Sequence, residues 1–345
     1  MQEVYEFRVQ EEFAGRLFRP DEGRLLSASG PRLVRLVAED PRLPLVGELD
    51  RSIRLETDRY FFSGWDIIRK YSRAELEAAV LFSVSLNRVF EPAGEECGTV
   101  YDESTACPVC GSGAKQVSGL RLDLRKAPKA KHIAVTIANE TIVSQHLAER
   151  LLEDGLTGFE LTPVRHKARY EDDAVDLTQI PTGREIIRMA ELAGAPHPTG
   201  KFSVWLNRAE NKPLWEQAVA ENAARLSSKA RRSGAPVPKW YQFNVVSSTA
   251  EVVAPTVVGN KPFDEDPTGE NRCPLGDLIG LNLLSEVSIS GASRGDCDVI
   301  STRQYVGVRR GLLRPRHVIL ISPRFREFLE REAIKGVDIE VAHLV

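Results

Sequence analysis

The cysteines are the residues of this chain that most clearly indicate chemistry. Three of the 5 cysteines lie in one short segment, at positions 97, 107 and 110. A zinc-knuckle spacing, C-x-x-C-G, occurs at Cys107-Pro108-Val109-Cys110-Gly111, where two thiolates could bind one ion from a tight turn. Gly111 lets backbone amides approach the sulfurs because it carries no Cβ. An odd number of clustered cysteines favours metal binding over a disulfide framework.

A structural Zn²⁺ site takes four ligands, so three local thiolates need a fourth. Cys97-Gly98 resembles the second half of another knuckle, but Gly94 stands where its first cysteine would be. The first candidate for the fourth ligand is Cys273, because Cys273-Pro274 begins a segment in the same way as Cys107-Pro108. Cys297, His132 and a water molecule are the other candidates. The predicted ligands of a structural Zn²⁺ are Cys97, Cys107, Cys110 and Cys273.

Other uses of these cysteines are a redox C-x-x-C pair, a degenerate knuckle without metal, and a catalytic zinc with a water in the fourth position. The flanking glycine and the third cysteine favour the knuckle over the redox pair. No motif places a glutamate to act as the base of a catalytic zinc, and no phosphate loop or H-E-x-x-H helix occurs. The sequence therefore favours a protein that is not an enzyme, without deciding the question.

A second chemical feature is a run of arginines near the C-terminus with no acidic residue among them. Such a patch could bind phosphates of a nucleic acid. The alternative is a solvated strand-and-turn edge, where charge blocks unwanted strand pairing. The predicted nucleic-acid-binding residues are Arg303, Arg309, Arg310, Arg314 and Arg316.

Two segments that would position these residues share one pattern at a constant offset. Residues 142–164 fall on residues 320–342, with Ser144 on Ser322 and Gly158 on Gly336. Each copy predicts a strand, a Ser N-cap, a short amphipathic helix, a glycine turn and a second strand. Any two capped helices closed by glycine would match in this way; the sharper interpretation is two related half-domains.

Length and composition favour a soluble chain of about two domains, with 345 residues, 42% hydrophobic residues and a net charge of −3. The near-neutral charge argues against a general DNA-packaging protein. We expect a mixed α/β or α+β fold of two related halves. The predicted divisions are an N-terminal α/β half at 1–169 with a zinc-ribbon-like knuckle at about 92–113, a helical connector at 170–238, and a C-terminal α/β half at 239–345.

The N-terminal sequence predicts no secretory signal, because Glu3 and Glu6 occupy the region where a signal peptide is positively charged. No apolar stretch approaches the roughly 18 residues that would span a bilayer. We therefore expect a cytoplasmic protein with no membrane partner.

The knuckle, followed by strand, Ser-capped helix, glycine and strand, resembles the double-CXXCG-motif proteins of myxobacteria. The closing segment from Arg314 to Ser322, followed by Gly336 and Glu340, is similar to the end of that family. The resemblance implies a zinc-stabilised bacterial binding protein of the immunity type, which neutralises a partner protein such as a toxin by occluding it. It implies structural ligands at Cys97, Cys107 and Cys110 and no catalytic residue.

The chain departs from that family at Gly94, where one knuckle is incomplete, and at the connector, which has no counterpart. The resemblance covers about a third of the chain. Two alternatives stay open: a nucleic-acid-binding module that uses the arginine run, and an enzyme with an unrecognised site near the metal.

Overall fold

The computed structural model describes residues 1–28, 30–87, 89–128, 130–167, 237–263, 272–273 and 282–345. Almost all of the predicted connector lies outside the described residues. Helices and strands occur together in several sheets, which confirms the predicted α+β class. The helices are α1 Glu11–Ala14, α2 Leu43–Thr57, α3 Arg73–Ala78, α4 Gln145–Glu153 and α5 Pro323–Arg331.

The strands are β1 Gln2–Val9, β2 Arg24–Leu25, β3 Arg32–Val37, β4 Phe62–Lys70, β5 Phe82–Leu86, β6 Val89–Phe90, β7 Tyr101–Asp102, β8 Lys115–Gln116, β9 Arg121–Leu122, β10 Ile133–Thr136, β11 Thr141–Ser144, β12 Phe159–Pro163, β13 Arg165–His166, β14 Trp240–Val245, β15 Val258–Gly259, β16 Asn282–Leu283, β17 Ser288–Ile289, β18 Val299–Val306, β19 Arg316–Ile321, β20 Val337–Val341 and β21 His343–Leu344. Within the described ranges, no helix is long and apolar enough to cross a membrane.

The N-terminal sheet has the order β2-β3-β1-β4 and is antiparallel throughout. Phe7 of β1 is fully buried, and α2 packs Val46 and Ile53 into the same core. Each such side chain contributes about 1.5–3 kcal/mol when it leaves water. Phe263 stacks on Phe7 with ring centroids 5.9 Å apart, so a segment from the second half of the chain completes this core.

Two strand–helix–strand units occur where the sequence pattern repeats. The first is β11-α4-β12 and the second is β19-α5-β20. Ser144 accepts the backbone N–H of Leu147, and Ser322 accepts that of Phe325, so both helices have the predicted N-cap. Gly158 and Gly336 precede the last strands with φ of 99° and 96°, a left-handed conformation that favours glycine.

The central strand of each unit's sheet comes from the other part of the chain. β14 lies between β11 and β12, and β5 lies between β19 and β20. Tyr241 of β14 pairs with Val143 and Pro163. Phe82 of β5 pairs with Ile321 and Val341, which are the corresponding positions of the second unit. The registers of the two units are therefore equivalent, and each part of the chain supplies a strand to the other; the predicted domain boundaries stay a prediction.

The two units share one hydrophobic core. Leu147 and Leu151 of α4 and Phe325 and Phe328 of α5 belong to the same buried cluster, together with Phe82. Ion pairs at the edge join the units: Arg150 to Glu332 at 2.9 Å and Arg331 to Asp154 at 2.6 Å. The shared core and the exchanged strands make the two units one packed body.

Candidate metal centre

The knuckle is a turn between two short paired strands, β7 and β8. The N–H of Cys107 donates to the carbonyl of Ser112 at 2.7 Å, and the N–H of Gly111 donates to the carbonyl of Cys107 at 2.8 Å. Gly111 and Gly113 have φ of 75° and 86°, which lets the chain reverse within so few residues. This geometry places both cysteines of the C-x-x-C-G run on one side of the turn.

The structure brings Cys273 to this turn from 166 residues away along the chain. The sulfurs of Cys107, Cys110 and Cys273 all lie within 4.8 Å of one another, and all three residues are buried. The Sγ atoms of Cys107 and Cys273 are 3.1 Å apart. None of the three forms a disulfide, and together they could bind a metal ion.

The environment of Cys107 favours its thiolate, the form that binds metals. The backbone N–H of Cys110 points at the Cys107 sulfur and lowers the pKa of this thiol to about 7. Burial acts in the opposite direction, while the Cys273 thiol and the N–H of Val109 lower the pKa further. At neutral pH a substantial fraction of Cys107 therefore carries the negative charge that a cation needs.

Cys97 is not a member of this group of three sulfurs. It ends a single turn of 3₁₀ helix, Glu95–Cys97, and is fully buried. Burial raises the pKa of its thiol to about 11, so the group stays protonated at neutral pH. The physical reason for this difference is that Cys97 has no second cysteine on its own turn, because position 94 is a glycine. Cys107 and Cys110, by contrast, form a chelating pair on one turn.

The other predicted candidates for a ligand also lie elsewhere. His132 contacts the hydroxyl of Ser144 through Nδ1 at 2.9 Å. Cys297 is half-buried beside Gly158, far from the knuckle in sequence. In the part of the chain that the structure describes, no fourth cysteine, histidine or carboxylate joins the three sulfurs. A depression of about 560 Å³, lined by Cys107, Cys110 and Arg309 among others, opens beside the cluster.

Two of the five predicted phosphate-binding arginines support the knuckle from the loop before β19. The guanidinium of Arg309 contacts the Glu103 carboxylate at 2.5 Å, and the backbone N–H of Arg309 donates to the carbonyl of Cys110 at 2.8 Å. Arg314, only 7% exposed, binds Glu95 at 2.9 Å and Glu103 at 2.8 Å and lies 3.9 Å from the centre of the Tyr101 ring. The charges of both arginines are therefore paired with carboxylates of the protein itself.

The remaining three arginines of the run differ in their surroundings. Arg303 contacts Glu251 at 3.3 Å. Arg310 and Arg316 have no ion pair with any described residue, and both line a large cleft. The sequence did not point to Glu95 and Glu103 as partners, although both acids flank the knuckle and the long arginine run lacks acids of its own.

Comparison of the chain with family models, with curated proteins and with solved structures finds no match. The resemblance to the double-CXXCG proteins therefore stays a prediction that rests on the residues quoted for it.

Proposed function

We propose that this protein is a binding protein whose fold is held together by one structural Zn²⁺ on Cys107, Cys110 and Cys273. The observation that carries the proposal is the buried group of three sulfurs, drawn from positions 166 residues apart. Thiolates are soft ligands that suit Zn²⁺, and the chelating pair Cys107 and Cys110 together with Cys273 supplies three of the four ligands of a structural site. The binding free energy of such an ion is largely folding free energy.

All five cysteines lie in described residues and only these three come together, so the fourth ligand of the ion binds through an oxygen or nitrogen atom. The depression lined by Cys107 and Cys110 lies beside the cluster and leaves room for such a ligand. Arg309 lines the same depression and is held by Glu103, so its charge is largely compensated there. The role assigned to the ion remains structural: it fastens the turn at Cys107 to the segment that carries Cys273.

The equivalent registers of the two strand–helix–strand units support an origin as two related halves. Tyr241 and Phe82 occupy corresponding places between the paired strands, and Ser144 and Ser322 cap corresponding helices. In this proposal the zinc and the exchanged strands both hold the two halves together, because each connects residues of one half to residues of the other.

The function we propose for this scaffold is immunity-like: it neutralises or regulates a partner protein by covering its surface. The support is the resemblance carried by the knuckle and the closing segment from Arg314 to Ser322. The alternative, nucleic-acid binding through the arginine run, is less favoured because Arg309 and Arg314 already contact Glu95 and Glu103.

Elemental analysis of the purified protein tests the metal assignment. We expect about one zinc per chain, lost or greatly reduced in Cys273→Ser and in Cys107→Ser. Cys97→Ser and Cys297→Ser are the matched controls and should keep the metal. A wild-type protein without zinc, or a Cys97→Ser variant that loses it as fully as Cys273→Ser, would contradict the assignment.

Co-expression with the product of the neighbouring gene tests the binding function. We expect a stable complex that survives about 0.5 M salt, because a protein interface buries apolar surface that salt does not screen. The opposite result, a protein that binds mixed-sequence DNA with an affinity that falls steeply with salt and forms no protein complex, would favour the nucleic-acid alternative.

A further inference from the structure

A large cleft lies between the N-terminal sheet and the sheet that contains β5, β19 and β20. Its volume is about 1480 Å³, above the roughly 300–1,000 Å³ of most small-molecule pockets. The floor is one face of the second sheet, where Ser83 and Ser85 of β5 lie beside Glu340 and Asp338 of β20. This size and polar floor suit a segment of polypeptide better than a compact apolar ligand.

Two strand edges line this cleft. β4 contributes consecutive residues from Phe62 to Arg69, and β20 contributes consecutive residues from Val337 to Glu340. Within the described ranges, β4 pairs only with β1 and β20 pairs only with β5, so each has one edge without a strand partner. Such an edge offers a row of N–H and C=O groups to an extended chain. Arg69 binds Glu340 at 3.0 Å and holds the two strands together at one end.

Two arginines of the cleft differ from its other basic side chains in their partners. Arg316 at the start of β19 and Arg310 in the preceding loop have no ion pair with any described residue. Arg316 is exposed to the solvent of the cleft, and crowding by the cleft walls lowers the pKa of its guanidinium. By contrast, Arg69, Lys261 and Arg314 in the same cleft are each held by carboxylates.

The cleft also contains three acidic side chains, Asp66, Asp338 and Glu340. Glu340 binds Arg69, and Asp338 accepts the side-chain amide of Asn87 at 3.0 Å. Asp66 is partly buried near Asp338 and Glu6, and burial raises its pKa. Neither Asp338, whose partner is a neutral amide, nor Asp66 has an ion pair with any described residue, and neither is paired with the two arginines. The two arginines therefore remain open to a carboxylate from outside, which would neutralise them with charge-assisted hydrogen bonds.

We propose that this cleft binds an extended acidic segment of a protein partner, with its carboxylates at Arg316 and Arg310 and its backbone paired to the edge of β4 or β20 that has no partner among the described strands. This inference rests on the proposed function, since it names the part of the partner that the protein would hold. It assigns Arg316 and Arg310, which the metal centre does not use, to partner recognition.

The test uses fluorescence anisotropy with the full-length, zinc-loaded protein. The probe is a labelled decapeptide in which glutamate and threonine alternate. Three comparison ligands are the same peptide with lysine in place of glutamate, the same peptide with alternate backbone nitrogens methylated, and inorganic phosphate as a competitor. We expect the glutamate peptide to bind, and the lysine and N-methylated peptides to bind at least about tenfold more weakly.

The variants Arg316→Gln and Arg310→Gln should each weaken binding of the glutamate peptide by about tenfold or more. Arg24→Gln is the matched control, because Arg24 is also an exposed strand arginine but lies in β2, away from the cleft. It should leave binding unchanged. Circular dichroism of each variant establishes that the fold is retained.

Equal binding of the lysine peptide, or no effect of either cleft variant, would overturn the proposal. Full competition by phosphate at a similar concentration would indicate a small-anion site instead, and preferential binding of single-stranded DNA would indicate a nucleic-acid site; both results also overturn it. If Arg316→Gln leaves the complex with the neighbouring gene product intact, the cleft assignment fails while the binding function stands. If no protein complex forms at all, the proposed function fails.

Discussion

The exchange of central strands predicts that the two parts of the chain cannot fold well apart but will associate when produced as separate polypeptides. Consider residues 1–169 and 237–345 co-expressed as two chains. The exchanged strands bury Phe82 and Val84 on one side and Trp240 and Phe243 on the other. At about 1.5–3 kcal/mol each, these four side chains contribute roughly 6–12 kcal/mol, an upper estimate because unfolded chains already bury some apolar surface.

Association costs about 4–15 kcal/mol because the two fragments lose translational and rotational freedom. Burial of the rest of the shared core around Phe325 and Phe328 contributes further favourable free energy against this cost. We therefore expect a complex whose affinity comes from the whole shared core, and not from these four side chains alone. Size-exclusion chromatography should show the two fragments eluting together in equal amounts, while either fragment alone should aggregate or be degraded.

A point substitution sharpens this test. Phe82→Ala in the first fragment removes a fully buried ring and should weaken the complex by about 3–5 kcal/mol. Val80→Ala, two residues away and 49% exposed, is the matched control and should have little effect. Two fragments that each fold as stable monomers with no mutual affinity would refute the strand exchange.

Three further predictions concern single sites. Ser144→Ala and Ser322→Ala should each cost about 1 kcal/mol, because each removes an N-cap, and thermal unfolding should show two similar decreases in Tm; clearly unequal effects would argue against equivalent units. Arg314→Met should destabilise by about 1–2 kcal/mol, a discounted value because Glu95 and Glu103 stay more than a third exposed, and urea titration measures it; an unchanged midpoint would contradict the structural role given to this arginine. Cys107 has its pKa lowered from 9.0 to about 7, so its thiolate contributes stability that is fully present above pH 9 and is lost as the pH falls through 7. Zinc release to a chelator should accordingly be more complete at about pH 6 than at about pH 8, and pH-independent release would contradict thiolate ligation.

Local features of the fold were accessible from the sequence, because they depend on residues close together along the chain. The caps at Ser144 and Ser322 and the turns at Gly158 and Gly336 follow from short patterns of hydrogen bonding and backbone conformation. The strand exchange was not accessible in this way. β5 and β14 largely alternate polar and apolar residues. This pattern is compatible with either sheet, so it predicts a strand but does not identify the strand that pairs with it.

The metal centre shows the same division. Two thiolates on one turn require only the spacing of Cys107 and Cys110, and the Cys-Pro start shared with Cys273 pointed to the third sulfur. Cys97 could not be separated from this group by composition, because its exclusion depends on where the 3₁₀ turn at Glu95–Cys97 packs. Arg309 and Arg314 were assigned to a patch for phosphates, whereas Glu95 and Glu103, distant in sequence, bind both.

X-ray absorption at the zinc edge, on the wild-type protein and on Cys273→Ser, is the sharpest test of the metal centre. We expect three sulfur ligands at about 2.3 Å and one oxygen or nitrogen at about 2.0–2.1 Å in the wild type. The Cys273→Ser protein should lose the ion or keep it with two sulfurs. An unchanged sulfur count in Cys273→Ser, or a wild-type protein that binds no zinc, would contradict the claim that one ion fastens Cys273 to the turn at Cys107 and Cys110.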